Sequence, residues 1–198
     1  MLLKRGLALV PKGSVARLDA TASGEIVYRP LGFVAEYGLT RLFLEPRTRG
    51  APRTAGARPF TKDDWPAVLE MDAPVFGASR ANLLERLRAE APEYAWVAER
   101  HGRLDGYLFG RHGHVREHVG PLIADSAETA GLLLDACLAA NPDRRVCIDV
   151  LDDQQTFLAR LLELGFAPER AFLRMHLGRL ATTGQPARVY AIAGPEFG

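Results

Sequence analysis

Two short stretches near opposite ends of the chain decide the fold: YRPLGF at residues 28–33 and LLELGF at residues 161–166. Each ends in Gly-Phe, and seven residues separate each phenylalanine from a following arginine, Arg41 or Arg174. A leucine comes three positions after each arginine, and an aspartate precedes each glycine, by 13 positions in the first stretch and by 16 in the second. Because these matches occur in the same order, they indicate an internal repeat.

The two copies of the repeat differ in what precedes them. The second copy has a full set of strands and helices ahead of it, whereas the first copy begins at the start of the chain. Between them, EPRTRGAPRTAGA is rich in proline, arginine and glycine and has no periodicity, as is typical of a linker. We therefore expect residues 1–46 to be the C-terminal remnant of one unit, residues 47–57 a linker and residues 58–198 a complete unit. An alternative is that the protein is longer and begins upstream.

Hydrophobic period and turn residues predict the elements of the complete unit. Thr61 begins a capping-box-like helix start, T-K-D-D, and Gly165 ends the last helix. The predicted strands cover residues 58–61, 94–100, 104–112, 119–124, 145–150 and 171–177. The order β-α-α-β-β-β-α-β-α-β predicts a mixed sheet flanked by helices, an α/β (α+β) fold.

Composition and charge exclude several classes of protein. The 198 residues are 47% hydrophobic with a net charge of +1, which gives no electrostatic footprint for nucleic acid or an anionic membrane. We find no run of about 18 apolar residues, the length that a membrane span needs. The first residues, MLLKRGLALVPKG, lack the pattern of a secretory signal, and both cysteines, Cys137 and Cys147, are expected to be core residues. We therefore expect a cytoplasmic protein.

The element order, with a helix that ends in Gly-Phe before a closing strand, resembles the GNAT N-acetyltransferase superfamily. In that family the final helix often ends Y-x-x-x-G-F, which residues 28–33 match. The second copy is similar to the C-terminal half of tandem-GNAT bacterial proteins, through the segments G-Y-x-x-x-R at 106–111, VGPLIA at 119–124 and AIAGPEFG at 191–198. The resemblance covers residues 58–198 well, and residues 1–46 only as the last part of a unit.

The resemblance implies an acyl-CoA-dependent enzyme that transfers acetyl from acetyl-CoA to the primary amine of a small molecule or peptide. Such a transfer needs a base for the amine, a backbone N–H group for the oxyanion and a proton for the leaving thiolate. By position in the family, Tyr28 would protonate the thiolate, and Glu117 or His118 would be the base beside the acyl cleft. The structural alternatives are that Tyr28 is a packed tyrosine and that the loop before Glu117 is simply solvated.

The resemblance also implies an acetyl-CoA site along the central strand, with the pyrophosphate at the start of the helix after it, and a further contact at the start of the last helix. The residues that would form it are Leu122, Ile123, Ala124, Ser126, Ala127 and, at the last helix, Asp153, for which helix capping is the alternative. Family members carry paired glycines after this strand, whereas residues 125–131 lack them and include Asp125 and Glu128. An ordinary helix start capped by Ser126 explains these residues equally well. The alternative function is therefore a catalytically degenerate GNAT-fold module that binds a ligand or a protein.

Three of the five histidines, His112, His114 and His118, have the even spacing that places side chains on one face of a strand. Three histidines on one face could hold zinc. A turn at Gly113 would separate them, and we expect no metal site.

Asp149 lies in an apolar strand, where a carboxylate needs a partner. Arg174 is the expected partner, so we predict a structural pair between Asp149 and Arg174, with a role in substrate binding as the alternative. The strand of the N-terminal remnant would add either to the sheet of the complete unit or to a second chain, because an unpaired edge invites association. We therefore also expect a homodimer.

Overall fold

The structure is a computed structural model that describes residues 2–11, 13–46, 56–179 and 184–197. The N-terminal part contains α1 (Leu2–Ala8), β1 (Ala16–Ala20), α2 (Ala22–Tyr28) and β2 (Val34–Leu44). The helices that follow are α3 (Trp65–Phe76), α4 (Ala81–Glu90), α5 (Ala127–Ala140) and α6 (Gln155–Glu163). The strands that follow are β3 (Ala57–Pro59), β4 (Trp96–Arg100), β5 (Arg103–Arg111), β6 (Glu117–Ala124), β7 (Val146–Leu151), β8 (Ala167–Leu177) and β9 (Val189–Ala191).

The two Gly-Phe stretches form the same local structure. Gly32 and Gly165 have φ angles of 91° and 85°, a left-handed conformation that glycine adopts without steric cost. The amide of Phe33 donates to the carbonyl of Tyr28 at 3.3 Å, and the amide of Phe166 donates to that of Leu161 at 2.9 Å. Both are Schellman-type helix ends, and each places its phenylalanine in the core.

The predicted element order of the complete unit is confirmed, and Thr61 forms the expected capping box with Asp64. The structure adds a short strand, β9, that the sequence did not predict. Most of the expected linker, residues 47–55, lies outside the described residues, so the domain boundaries stay predictions.

The strands of the described residues form one nine-stranded mixed sheet in the order β1-β8-β2-β7-β9-β6-β5-β4-β3. Within it, β2 lies between β7 and β8 and is antiparallel to both, while β1 pairs with the outer edge of β8. The N-terminal strands therefore join the sheet of the complete unit, one of the two arrangements expected above. Since β2 and β8 are the strands that follow the two Gly-Phe turns, each copy of the repeat pairs its closing strand with the other copy.

Because the closing strands are exchanged, the predicted pair between Asp149 and Arg174 is wrong. In the structure Arg174 donates to Asp19 on β1, with its Nε 2.5 Å and its Nη2 2.8 Å from the two carboxylate oxygens. Asp149 instead accepts from Arg41 on β2, at 2.7 and 2.8 Å. The two repeat-related aspartate–arginine pairs are crossed because the strands that carry the arginines are exchanged.

Helices cover both faces of the sheet and define two cores. On one face, α5 and α6 pack Leu133 and Phe157 against Leu122 and Ile148. On the other face, α3 and α4 pack against alternate residues, including Tyr107 and Ile123. His118 and Asp149 alternate with the residues of the first core, so they lie on the α3 and α4 face. Both cysteines are buried and free, as predicted.

None of the helices in the described part of the chain has the length and apolar character that a membrane crossing requires.

Candidate functional site

His118 on β6 is the most deeply buried of the three residues predicted to be catalytic. Its side chain is 3% exposed, and its Nε2 lies 2.9 Å from Oδ2 of Asp149 on the neighbouring β7. Because the carboxylate can only accept, the neutral imidazole carries its proton on Nε2 and leaves Nδ1 as an acceptor. Nδ1 is buried and has no hydrogen-bond partner among the described residues. An unpaired proton acceptor of this kind is a candidate base.

Asp149 holds His118 and is itself held by Arg41. Burial alone would raise the pKa of this fully buried carboxyl, but the hydrogen bonds from Arg41 and His118 outweigh burial and lower the pKa to about 2. The carboxylate is therefore charged and compensated, as a buried charge must be. Arg41, Asp149 and His118 form a chain that spans three strands, β2, β7 and β6.

The pKa of Asp149 predicts how stability depends on pH. An unfolded aspartate has a pKa of about 3.9, so the lower folded pKa gives a stabilising contribution that is complete above about pH 4. This contribution, on the order of 2 kcal/mol, should be lost as the pH falls from about 4 to about 2. Asp149→Asn should flatten this slope in urea unfolding at several pH values. The control Asp143→Asn, at an exposed turn position, should retain the slope, and a slope unchanged in Asp149→Asn would contradict the assignment.

A cavity of about 380 Å³ lies beside this chain of residues. Its wall includes His118 and Cys147, which are direct neighbours across β6 and β7. Burial raises the pKa of the Cys147 thiol to about 11, so the cysteine is a neutral wall residue. The charged part of the lining consists of three arginines, Arg41, Arg111 and Arg116, and the carboxylate of Glu169.

Glu117, the other predicted base, points to the opposite face of β6 because successive strand residues alternate. Its Oε2 lies 2.8 Å from Nδ1 of His112, and its backbone amide donates to the carbonyl of Arg145. Of the two candidates only His118 lines the cavity. The role of Glu117 stays a prediction, and its observed partner is a histidine of the preceding loop.

The three histidines that might have held zinc have separate surroundings. His112 contacts Glu117, His118 contacts Asp149, and His114 is exposed in the loop between β5 and β6. Within the described ranges, no group of three histidine, cysteine, aspartate or glutamate side chains is arranged to hold a metal ion.

Tyr28 lies at the end of α2, and its ring packs on Phe33 with centroids 5.7 Å apart. Its other apolar neighbours include Ala20 and Met175, in a small cluster built by the N-terminal part and β8. The repeat-related position, Leu161, is fully buried in the main core. These contacts do not bring Tyr28 to β6, and its assignment as the proton donor stays a prediction.

The strand edge predicted to bind acetyl-CoA is paired with the C-terminal part of the same chain. β6 and β7 run parallel only from Glu117 to Val119, and beyond that point β9 lies between them. In this gap Leu122 and Ile123 pair with β9, and the amide of Ile192 donates to the carbonyl of Asp149 at 3.0 Å.

Gly120 permits the close approach of the C-terminal segment. A Cβ atom at Gly120 would lie 2.1 Å from the carbonyl oxygen of Ile192. A larger residue at this position would therefore push the segment out of the gap.

The helix start predicted to bind pyrophosphate is surrounded by carboxylates. Ser126 caps α5, as expected, by accepting from the amide of Thr129 at 3.1 Å, and Ala127 is the first residue of the helix. Asp105 accepts from the hydroxyl of Thr129, Asp125 pairs with Arg188 and Glu128 pairs with Arg100. Arg188 and Arg100 compensate two of these three carboxylates, so the net negative charge that remains at this end of the helix is small, and it opposes an anionic ligand.

Asp153, predicted at the start of the last helix, is exposed and does not cap it. The N-cap of α6 is Gln154, which makes no side-chain cap bond. The Gln154 side chain instead donates to the carbonyls of Ala187 and Val189, at 2.9 and 3.1 Å. Gln154 therefore ties α6 to the C-terminal segment, a role that sequence reasoning missed.

The rest of the C-terminal segment is also anchored. Tyr190 packs edge-to-face on Phe157 with centroids 5.3 Å apart, and Ala191 and Ala193 are fully buried. Arg111 pairs with Glu196 at 2.5 Å, which brings the segment to the rim of the cavity. The only sequence signal for this docking was the small apolar run AIAG, which is compatible with many environments.

The fold is a mixed sheet flanked by helices on both faces, in which β9 separates the parallel strands β6 and β7. Solved acetyltransferase structures are similar to this fold as a whole. A putative acetyltransferase from Pyrococcus horikoshii matches with a TM-score of 0.71 and 26% identity, over 98% of this chain and 62% of that one. A GCN5-related N-acetyltransferase from Sphaerobacter thermophilus matches with a TM-score of 0.62 and 18% identity, over 88% of this chain and 64% of that one.

Residues 68–191 match the family model described as an acetyltransferase (GNAT) domain. The chain belongs to the GNAT acetyltransferase family. It is also similar to the uncharacterized N-acetyltransferase YitH of Bacillus subtilis (strain 168), with 27% identity over 159 residues, which cover 78% of this chain and 55% of that protein. The chain thus spans less than two thirds of the length of these relatives.

Proposed function

We propose that the protein is an acyl-CoA-dependent N-acetyltransferase that transfers acetyl from acetyl-CoA to the primary amine of a small molecule or peptide. The observation that carries the proposal is the buried pair of His118 and Asp149 beside a cavity of about 380 Å³. A base with a free ring nitrogen, oriented by a carboxylate, is the arrangement that deprotonation of an amine requires.

On the amine side the residues have distinct roles. His118 accepts the proton that the amine loses, on Nδ1, and its Nε2–H remains bound to Asp149. Asp149 fixes the tautomer and stabilises the imidazolium that forms, and Arg41 keeps Asp149 charged. When bound, acetyl-CoA supplies a thioester whose carbonyl carbon is open to attack by the neutral amine.

The residues along β6 do not fit this coenzyme in the arrangement described. The backbone edge at Leu122 and Ile123 is paired with β9, and carboxylates surround the start of α5. No step of the mechanism is therefore assigned to the coenzyme, and the assignments of Leu122, Ile123, Ala124, Ser126, Ala127 and Asp153 stay predictions. They require an arrangement in which residues 189–192 have left the gap.

The direct test is an assay of acetyl transfer by the purified chain. Acetyl-CoA is incubated with a panel of amino acids, peptides and polyamines, and free thiol release and the mass of the amine are followed together. We expect amine-dependent thiol release with an equal amount of acetylated product. Thiol release without acetylated amine, or no release with any amine, would contradict the proposal for this chain.

A second candidate function is a GNAT-fold module that binds a ligand without catalysing transfer. The specific observation in its favour is the filled gap between β6 and β7, together with the negative charge at the start of α5. If the second candidate is correct, acetyl-CoA should not bind even when the C-terminal segment is loosened.

The variant Gln154→Ala separates the two candidates. It removes the side-chain bonds to the carbonyls of Ala187 and Val189, leaves the buried residues of β9 intact and does not change the charge at the start of α5. Each lost hydrogen bond contributes about 0.5–1.5 kcal/mol, so we expect calorimetric titration to show about tenfold tighter acetyl-CoA binding. The control Gln155→Ala, whose side chain donates to the carbonyl of Asp152, should behave as the wild type. No heat in any of these proteins at millimolar acetyl-CoA would support the second candidate.

The proposal includes a tandem organisation, with a remnant at residues 1–46, a linker at residues 47–57 and a complete unit at residues 58–198. The matched Schellman ends and the crossed aspartate–arginine pairs support it.

A homodimer and a cytoplasmic location stay predictions. β1 ends the sheet without a strand on its outer side in the described part of the chain, and light scattering would show whether a second copy covers it.

A further inference from the structure

The cavity beside His118 has more hydrogen-bond donors than its internal partners use. Arg41 donates to Asp149 through Nε and Nη2, Arg111 donates to Glu196 through Nη2, and Arg116 donates to Glu169 through Nη1. A guanidinium has five N–H groups in a planar fork. Nη1 of Arg41, Nη1 of Arg111 and Nη2 of Arg116 therefore have no partner that the described residues supply.

The three arginines are held in place, which distinguishes them from mobile surface cations. Their side chains are 22%, 24% and 24% exposed. The guanidinium of Arg116 lies 4.3 Å from the ring centroid of Phe43, and that of Arg41 lies 5.2 Å from the centroid of Phe172. Packing on aromatic faces reduces the entropy that each arginine loses when it binds a planar anion.

A ligand with one carboxylate matches these donors better than a ligand with two negative charges, such as a phosphate monoester. Glu169 lines the cavity and Asp149 lies directly behind Arg41, so each added negative charge meets two fixed carboxylates. Arg111 already binds one carboxylate from the C-terminal segment, that of Glu196, which is half exposed. A single carboxylate on a ligand would accept from the remaining donors in a forked geometry.

The size of the cavity limits the ligand. About 380 Å³ is near the lower end of the range of about 300–1,000 Å³ for small-molecule pockets. This space suits a ligand of amino-acid or dipeptide size. His118 forms part of the same wall, so a ligand held by its carboxylate would place its other end near the candidate base.

We propose that the cavity lined by Arg41, Arg111, Arg116 and His118 binds a compact carboxylate-bearing ligand, and that the acceptor amine carries this carboxylate. The second part rests on the proposed acetyl transfer, whereas the first part does not. The acceptors favoured by this arrangement are amino acids and short peptides with a free carboxylate.

Binding of matched ligands tests the first part without any need for turnover. N-acetylalanine and its amide are titrated separately into the full chain by calorimetry, with a phosphate monoester of similar size as a third ligand. We expect the acid to bind at least tenfold more tightly than the amide. Equal binding of acid and amide, no binding of either at about 10 mM, or tighter binding of the phosphate would each overturn the carboxylate assignment.

The variant Arg116→Gln locates the site. It removes one guanidinium at the rim of the cavity, and we expect the preference for the acid over the amide to fall at least fivefold. Arg116→Lys should restore only part of it, because an ammonium group lacks the fork. The matched control Arg86→Gln changes an exposed arginine on α4 that pairs with Glu90 and should leave the preference unchanged. A preference that survives in Arg116→Gln would overturn the placement.

Turnover separates the two proposals. If alanine is acetylated at least tenfold faster than alaninamide at equal concentration of free base, both proposals stand. Acetyl transfer without discrimination between them would overturn the carboxylate-bearing acceptor and leave acetyl transfer intact. Binding of the acid without transfer to any amine would contradict the proposed function and leave the carboxylate site intact.

Discussion

Replacing His118 by glutamine should lower the rate of acetyl transfer about 10²–10⁴-fold, the contribution of a positioned general base. Glutamine is close in size to histidine and keeps a polar group near Asp149, but it cannot accept the proton that the amine loses. The loss should appear in kcat, because His118 acts on the proton that leaves as the amine attacks. Steady-state kinetics on the amine that gives the highest rate would measure it.

The control for this substitution is His114→Gln, in the exposed loop before β6, which should retain wild-type kinetics. Circular dichroism and urea unfolding of His118→Gln would confirm that the sheet is intact. A rate within about threefold of the wild type, in a folded His118→Gln protein, would exclude His118 as the base. In Asp149→Asn, which changes the positioning residue, we expect kcat to fall with KM little changed, since an amide can donate as well as accept and no longer fixes the tautomer of the imidazole.

Local signals were sufficient to predict much of the fold. The two glycines at positions 32 and 165 marked helix ends, because a left-handed residue there is a property of the nearest few residues. Ser126 and Thr61 were recognisable as caps for the same reason. The order of elements in the complete unit followed from the period of the apolar residues, which depends on the chain within each element.

The pairing of strands that are distant in the sequence was harder to predict. The alternation of β7 and β8 shows which residues face inward, but it does not show which strand lies beside them. The prediction that Asp149 pairs with Arg174 assumed that β7 and β8 are neighbours, whereas β2 lies between them. The repeat left the pairing open, because two copies with equivalent aspartates and arginines can pair within a copy or across copies with the same chemistry.

The candidate site was predictable in part for a similar reason. His118 was identified from its place before the central strand, and its partner Asp149 from being a charge in an apolar segment. Arg41 was missed as a member of the site, because it arrives from the N-terminal part through β2. The occupation of the β6 edge by β9 was also missed, since a strand of three residues carries little information about where it docks.

Replacing Arg174 by methionine should strongly destabilise the fold. The side chains of Arg174 and Asp19 are 1% and 0% exposed, and Nη1 of Arg174 also donates to the hydroxyl of Tyr37 at 3.2 Å. Removing one partner of a buried pair leaves an uncompensated charge, which costs about 3–5 kcal/mol. Urea unfolding at pH 7 would measure the loss, and the exposed pair of Arg86 and Glu90 supplies a control, Arg86→Met, for which little change is expected.

A double-mutant cycle tests the crossed pairing itself. Combining Arg174→Met with Asp19→Leu should recover much of the lost stability, because an apolar pair can replace a buried ion pair at little cost. Combining Arg174→Met with Asp149→Leu should be more nearly additive, because Asp149 is bound by Arg41. If instead the combination of Arg174→Met with Asp149→Leu recovered the stability, the aspartate–arginine pairs would lie within one copy of the repeat.

Arg174→Met should also change how the stability of the fold depends on pH. Burial raises the pKa of Asp19 even in the presence of Arg174, so without the arginine the carboxyl should be neutral in the folded state over a wider range of pH. A folded pKa above the unfolded value of about 3.9 gives stability that is present at low pH and lost as the pH rises. The difference between Arg174→Met and the wild type should therefore be smallest near pH 4 and grow toward pH 7. A difference that does not change with pH would show that the variant loses packing rather than charge compensation.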